Sequence, residues 1–412
     1  MFEDVPIKYF AGSHRIKAPK ETIEATESKL QVAGITRLTE ITHLDRVGIP
    51  VFSAIRPTAQ EGSVSIYAGK GATVEQAKAS AMMEGFERYS GEKQDIDKER
   101  MIIDSYENIE NAINPKELLL PKNLDSYNLN TTKLEWIEAT DIISEKEIYI
   151  PANAVFHPYI PSKDEIPSPI ALFKGNTNGL ASGNIIEEAI LHGIFEVIER
   201  DAWSIFEITK RNKKEINKES IKNEIILNLL DKFEKEGIKI KLIDLTADLD
   251  IPTIAASADD TVLKDAALLT LGVGTHLNPE IAVIRALSEV AQSRATQIHG
   301  TREDTVRADF MRKTGYERMK KSNKHYFIGE DKKINLADIE DKSSNTVKKD
   351  IETTIEEIQK VNLNQVLFTD LTRAELGINV ARAVIPGAEL YTLDNERLGT
   401  RSLEYERKCR GF

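Results

Sequence analysis

The sequence predicts a mixed α/β protein, α+β in arrangement, and three observations carry that prediction. Strand-like runs alternate with helical patterns along the whole chain. A strand-like run, a glycine-containing turn and a helix start recur together three times. The helices that follow carry glutamate stripes with few basic partners, although the chain has 55 lysines and arginines to distribute.

Seven runs read as strands: 48–57, 63–69, 148–156, 238–245, 266–274, 365–371 and 378–385. Segment 157–170 holds four prolines in fourteen residues and is predicted as loop, closing off an N-terminal third. Stretches 205–236 and 301–361 are dense in lysine and glutamate at helical spacing, and they read as solvated helices or a charged surface insertion.

The three repeated units are "SVSIYAGKGATVEQAKASAMMEGFERYSG", "GNTNGLASGNIIEEAILHGIFEVIERDAW" and "LLTLGVGTHLNPEIAVIRALSEVAQSRA". Each has its own start signal. Thr73 and Gln76 form a capping box in the first, and Asn184 with Glu187 is expected to do the same in the second. In the third, Asn278 is the N-cap and Pro279 takes the first helical position, where a missing N–H costs nothing. At about 100° per residue, Ser80, Glu84, Glu87 and Arg88 share one face of the first helix. Glu188, His192, Glu196 and Glu199 share a face of the second, opposite Ile186, Ile190, Ile194 and Val197. Arg285, Glu289 and Gln292 do so in the third.

Composition narrows the function classes. A net charge of −12 argues against general affinity for nucleic acid or for an anionic membrane surface. No run approaches the ~20 apolar residues of a membrane span. The opening "MFEDVPIKYF" lacks the basic and apolar regions of a signal peptide, so a cytoplasmic, soluble protein is expected. The single cysteine, Cys409, excludes a disulfide framework and a cysteine-based zinc site.

Between Asn184 and Asp201 stand five acids, one arginine and no lysine. Clustered carboxylates repel unless they are solvated, protonated or bound to a cation. Oxygen donors select hard cations, and no calcium loop or paired Glu-x-x-His motif is present, which leaves magnesium. Magnesium usually arrives with phosphate, and Arg15, Arg200 and Arg285 are the candidate phosphate clamps. "GKGAT" (69–73) lacks a full Walker loop, and "GVGTHL" (272–277) lacks the third glycine of a dinucleotide fingerprint. The residues thus predict a magnesium–nucleotide site built from helix faces and leave the reaction open.

Five blocks, "GSHRIKAPKET", "GITRLTEITHLDRVGIPVFSAIRP", "GKGATVEQAKASAMMEGFERYSG", "NTNGLASGNIIEEAILHGIFEVIERDA" and "RALSEVAQSRATQIHG", resemble the YcaO family in its order over residues 12–300. The resemblance implies a YcaO-type fold of mixed sheets and packed helices whose polar faces line an ATP site without a Walker loop. It implies a segment, 1–60, contributing to the nucleotide site and a core domain over 61–412. Glu84, Glu87, Glu188, Glu196 and Glu199 fall on the family's magnesium positions. Arg15, Thr22, Ser80, Asn184, His192, Glu196, Arg200, Arg285 and Glu289 fall on its nucleotide pattern, with Glu84, Glu199 and Arg285 as the catalytic candidates. Arg15 and Thr22 stand where the family often has lysine and serine, and His192 is at a variable position.

YcaO-type enzymes use ATP to O-phosphorylate a backbone amide of a peptide or protein under attack by a nucleophile. Azoline-forming members commonly end in a proline-rich tail, and here no proline follows Pro386. The expectation is therefore thioamide formation with external sulfide and a TfuA-like partner, as on a glycine of methyl-coenzyme M reductase in methanogens. No fused peptide-binding domain is recognised ahead of residue 12, and a homodimer is expected. The alternatives are an azoline-forming cyclodehydratase acting on Cys, Ser or Thr of a ribosomal peptide, and a non-catalytic ATP-binding regulatory protein. A carboxylate-bridged redox metalloprotein is disfavoured by the absence of paired Glu-x-x-His motifs.

Overall fold

The strand Ile66–Lys70 leads into the helix Val74–Gly91, Leu180–Gly183 into Ile186–Thr209, and Thr270–Thr275 into Pro279–His299. These are the three strand–turn–helix units of the sequence, called below the first, second and third helices. The structure is a computed structural model that describes residues 1–162, 166, 169–210, 214–300, 307–328 and 332–411. Parts of three predicted stretches lie outside them: 163–165, 167 and 168 of the proline-rich loop, 211–213 of 205–236, and 301–306 and 329–331 of 301–361.

Each unit belongs to a different sheet. Ile66–Lys70 is the edge of a three-stranded antiparallel sheet with Val51–Ile55 and Arg37–Glu40. Leu180–Gly183 is the edge of a larger antiparallel sheet whose further strands are Asn379–Val384, Leu367–Asp370, Lys133–Asp141 and Met101–Ser105, with Lys146–Pro151 also pairing to Lys133–Asp141. Thr270–Thr275 is the edge of a five-stranded sheet running through Thr253–Asp260, Ile238–Asp244 and Lys214–Ile216 to Lys332–Ile334. Only its last pair, Lys214–Ile216 with Lys332–Ile334, is parallel within that sheet. All seven predicted strand runs contain a strand, and two long ones, Lys133–Asp141 and Thr253–Asp260, add to them.

Helix starts follow local chemistry in two of the three cases. Thr73 caps the first helix, its side chain accepting from the Gln76 amide at 3.2 Å while Gln76 returns the contact. Asn278 Oδ1 accepts from the Ile281 amide at 3.1 Å, with Pro279 at the first turn. The expected Asn184–Glu187 capping box does not form: the N-cap is Ile185. Both polar side chains are engaged elsewhere, Asn184 Oδ1 accepting from Thr22 Oγ1 at 2.8 Å and Glu187 Oε1 from the Glu3 amide at 3.2 Å.

The helices approach their strands at main-chain distance. A Cβ placed on Gly69 would lie 2.0 Å from the Ala81 amide nitrogen of the first helix, and one on Gly272 would lie 2.3 Å from the Ala286 carbonyl of the third. Only glycine fits there, because the obstacle is backbone that cannot rotate away. The polar stripe of each helix is thereby set at a fixed height above its sheet.

Apolar faces form separate cores. The second helix buries Ile190, Ile194 and Val197 against Val347, Ile351 and Ile358 of the helix Val347–Lys360 and against Ala381 and Ala383. That part of the lysine- and glutamate-rich stretch therefore presents one apolar face to the protein. Four residues beyond Val197 on the same helix, Asp201, with 0% exposure, receives Arg401 Nε and Nη2 at 2.9 and 2.8 Å from the helix Arg401–Arg410. Among the described residues no helix is long and apolar enough to cross a membrane.

Candidate active site

The three polar stripes and the N-terminal segment face one cleft of about 610 Å³. Every candidate magnesium and nucleotide residue named from the sequence lines it: Arg15, Thr22, Ser80, Glu84, Glu87, Asn184, Glu188, His192, Glu196, Glu199, Arg200, Arg285 and Glu289. Their positions follow from the fold. The first helix supplies Ser80, Glu84 and Glu87, the second Glu188, His192, Glu196, Glu199 and Arg200, and the third Arg285 and Glu289.

The acids are not equivalent. Asp201 is taken by Arg401, and Glu187 by the Glu3 amide, so two of the five acids near the second helix face away from the cleft's chemistry. Glu188 lines the cleft with both oxygens in use: Oε1 accepts from the Ile16 amide at 2.7 Å, and Oε2 from the amide and Nδ2 of Asn184 at 2.9 Å each. It ties the N-terminal segment to the start of the helix. Glu84, Glu87 and Glu199 meet arginines only loosely, Arg88 Nη2 lying 3.3 Å from Glu84 and 3.6 Å from Glu87, and Arg200 Nη2 3.5 Å from Glu199. Glu289 has a firm partner in Lys70 Nζ at 2.5 Å.

Charge states record the crowding. Burial drives Glu87 well above the ordinary carboxylate range, with Glu84 and Glu196 adding to it and Arg88 opposing. Burial and Glu289 push Glu199 up to about 7 against the pull of Arg200, Arg285 and Lys70. In Glu289 burial acts the same way, but Lys70 and Arg200 outweigh it and the group ends below its ordinary value. Burial, with Arg285 and Arg15 beside it, holds His192 well below its usual value. The neutral ring turns Nδ1 to Arg285, whose Nη1 and Nη2 lie 3.4 and 3.3 Å away.

Several cleft residues have no role in the sequence reading. Arg88 lies on the stripe of the first helix, and its Nε and Nη1 are buried with no partner, as is Nε of Arg200. Lys70, from the incomplete "GKGAT" turn, pairs with Glu289, and His14 and His276 also line the cleft. Arg88 directly follows a stripe glutamate, which is a usable signal; Lys70 has none short of the fold.

Magnesium and nucleotide phosphate fit this set. Buried guanidinium N–H groups without acceptors call for anionic oxygens, and carboxylates held apart from their arginines call for a cation. Among the described residues no group of three His, Cys, Asp or Glu could by itself hold a metal ion. Magnesium takes one or two protein carboxylates and completes its shell with water and phosphate oxygens, so it does not require such a group.

Glu199 must shed its proton to meet a cation, so magnesium–ATP affinity is expected to fall as the pH is lowered through about 7, with a proton released on binding. Calorimetry in buffers of different ionisation enthalpy measures that proton; an affinity independent of pH across neutrality, with no proton released, would contradict it. In the nucleotide-free protein the sign is opposite. The raised value stabilises the fold fully below the ordinary 4.5, and that contribution is lost as the pH rises through about 7.

Comparison with known proteins bears on the same cleft. A family model described as "YcaO cyclodehydratase, ATP-ad Mg2+-binding" matches residues 68–389. An uncharacterised protein of Methanothermobacter thermautotrophicus is 54% identical over 383 residues, 93% of this chain and 97% of its own length. An uncharacterised protein in the tfuA 3' region of Rhizobium leguminosarum bv. trifolii is 28% identical over 388 residues, 91% of this chain and 89% of its own. Among solved structures, YcaO from Methanopyrus kandleri bound with AMPPCP and Mg2+ aligns with a TM-score of 0.77 at 28% identity, covering 96% of this chain and 97% of that one.

Proposed function

The chain belongs to the YcaO family of ATP- and Mg2+-binding enzymes, and from that premise we propose that it converts a backbone amide of a peptide or protein to a thioamide, with external sulfide as nucleophile. The observation that carries the ATP-dependent part is the convergence of three acidic helix faces and unpartnered buried arginine donors on one cleft. ATP supplies the phosphoryl group that turns the amide oxygen into a leaving group. The chain's own part is positional. Glu84, Glu87, Glu196 and Glu199 present oxygens for magnesium, while Arg15, Arg88, Arg200 and Arg285 present N–H donors where phosphate charge develops. The atoms balance without a redox partner: sulfur replaces the amide oxygen, which leaves in hydrogen phosphate together with the hydrosulfide proton.

The sulfide branch is supported by the relative named for its place beside tfuA and by the methanogen relative. A TfuA-like protein, a peptide or protein substrate and a second copy of the chain are the partners proposed with it. The family description names cyclodehydratases, which favours azoline formation as the second reading. The test is reconstitution with ATP, Mg2+, sulfide, a TfuA-like protein and candidate peptides, followed by mass spectrometry. ATP-dependent exchange of one oxygen for sulfur is expected. Loss of water without sulfur uptake would replace this reading by the azoline one, and ATP binding with no modification of any substrate would favour a regulatory protein.

A further inference from the structure

Next to the cleft lies a second, smaller cavity of about 40 Å³. The wall between them is thin: Thr177 lines the cleft, while its neighbours Asn176 and Asn178 line the cavity. Two arginines border it, Arg382 from the strand Asn379–Val384 and Arg397, 5% and 3% exposed. Arg397 is fixed by its Nε and Nη2 donating to the carbonyls of Leu119 and Leu118 at 2.8 and 2.6 Å, and by stacking 3.7 Å over the ring of Phe173. These contacts hold a cation in place without neutralising it. Arg382 is less satisfied still. Its Nη2 reaches Asn176 Oδ1 at 3.4 Å, and its Nε and Nη1 are buried with no partner.

Burial lowers both guanidinium groups to about 10, with Glu196 partly offsetting this at Arg382, where Arg88 and Arg397 add to it, and Asp394 offsetting it at Arg397. Asn178, also in the cavity lining, has its Oδ1 buried as an acceptor without a donor. Glu117, the one carboxylate among the described residues of the lining, is exposed. A pair of under-neutralised buried cations sharing a cavity with an unpaired buried acceptor is costly as it stands, and one small anion carrying a proton would satisfy both. A volume of about 40 Å³ admits a few heavy atoms and excludes a nucleotide.

We propose that this cavity binds a small protic inorganic anion, hydrosulfide or hydrogen phosphate, taking hydrogen bonds from Nε and Nη1 of Arg382 and giving its own proton to Asn178 Oδ1. The choice of these two anions rests on the thioamide reading, in which the first is consumed and the second released. The cavity then serves as the waiting place of the nucleophile or the exit place of the product.

The test is calorimetric titration of sodium hydrosulfide, and separately of sodium phosphate, into the full chain with chloride as background. Arg382→Met and Asn178→Asp are titrated alongside, with magnesium–ATP binding to each variant as the check of folding. At least one anion is expected to bind the wild type, and about tenfold or more weaker binding is expected in both variants. Hydrosulfide binding alone marks a nucleophile site, and phosphate binding alone marks a product site; each supports the proposal. Binding of neither anion to the wild type, or binding unchanged in Asn178→Asp, overturns it, and that isosteric variant decides the matter if Arg382→Met does not fold. Anion binding without thioamide formation in reconstitution would sink the reaction and leave the site standing. Thioamide formation without anion binding would do the reverse.

Discussion

Glu199→Ala and Glu84→Ala are each expected to weaken magnesium-dependent ATP binding and turnover by about 10²–10³-fold, while Glu187→Ala leaves both within about threefold. The contrast is the strength of the experiment. Glu187 and Glu199 lie on the same helix with the same charge, but Glu187 accepts an amide from the N-terminal segment and does not line the cleft. Glu84 enters the same cleft from a different helix, so equal losses at Glu84 and Glu199 place both helices around one nucleotide. Calorimetry with and without magnesium reads the binding, and phosphate release reads the turnover. Undiminished binding in both cleft variants would mean that the stripes are solvated faces, and equal damage from Glu187→Ala would mean that the effect is only loss of helix charge.

Arg401→Ala is expected to cost about 3–5 kcal/mol of stability. Asp201 is fully buried and keeps only the Glu389 amide, 2.8 Å from Oδ1, once the guanidinium is gone. Burial alone would lower the Arg401 pKa, and the Asp201 and Asp248 carboxylates more than reverse that, the latter reached by Nη2 at 2.9 Å. Removing one partner strands a charge that water cannot reach. Replacing Asp201 and Arg401 together by apolar residues of similar size should recover most of the loss, because neither charge then remains buried. Denaturant midpoints of the single and double variants decide this; a single variant within about 1 kcal/mol of wild type would show that solvent reaches Asp201.

The site is legible in the sequence wherever one helix carries it. A period of 3.6 residues separates Glu196 and Glu199 from Ile190 and Ile194, and the same arithmetic isolates Glu84 and Glu87 in the first helix. What escapes is everything that depends on a partner distant in the chain. Lys70 meets Glu289 across 219 residues, and Asn184 forsakes its capping role for Thr22 across 162. The strand Lys133–Asp141 hides for the same reason. Its Glu135, 2% exposed, reads as a solvent position until Lys93, Tyr159 and Ser162 are brought to it at 2.6, 2.7 and 2.6 Å. Thr253–Asp260 is built of small residues and ends in two aspartates, a composition poor in strand formers, and the buried Asp260 is balanced by Arg46 and Arg294. Arg382 lies in a run read correctly as strand, but alternation alone cannot tell whether its side chain meets solvent or an internal cavity.

The glycine contacts under the first and third helices have a bearing on tolerance to substitution as well as on shape. Helices seated on side chains shift whenever a core residue changes size, because neighbouring volumes must be refilled. Helices seated on bare main chain at Gly69 and Gly272 keep their height through such changes. These two contacts tie the carboxylates' register to the strand rather than to the size of any one aliphatic side chain. Aliphatic exchanges in the core are therefore expected to move the carboxylates less than a Cβ added at Gly69 or Gly272 would.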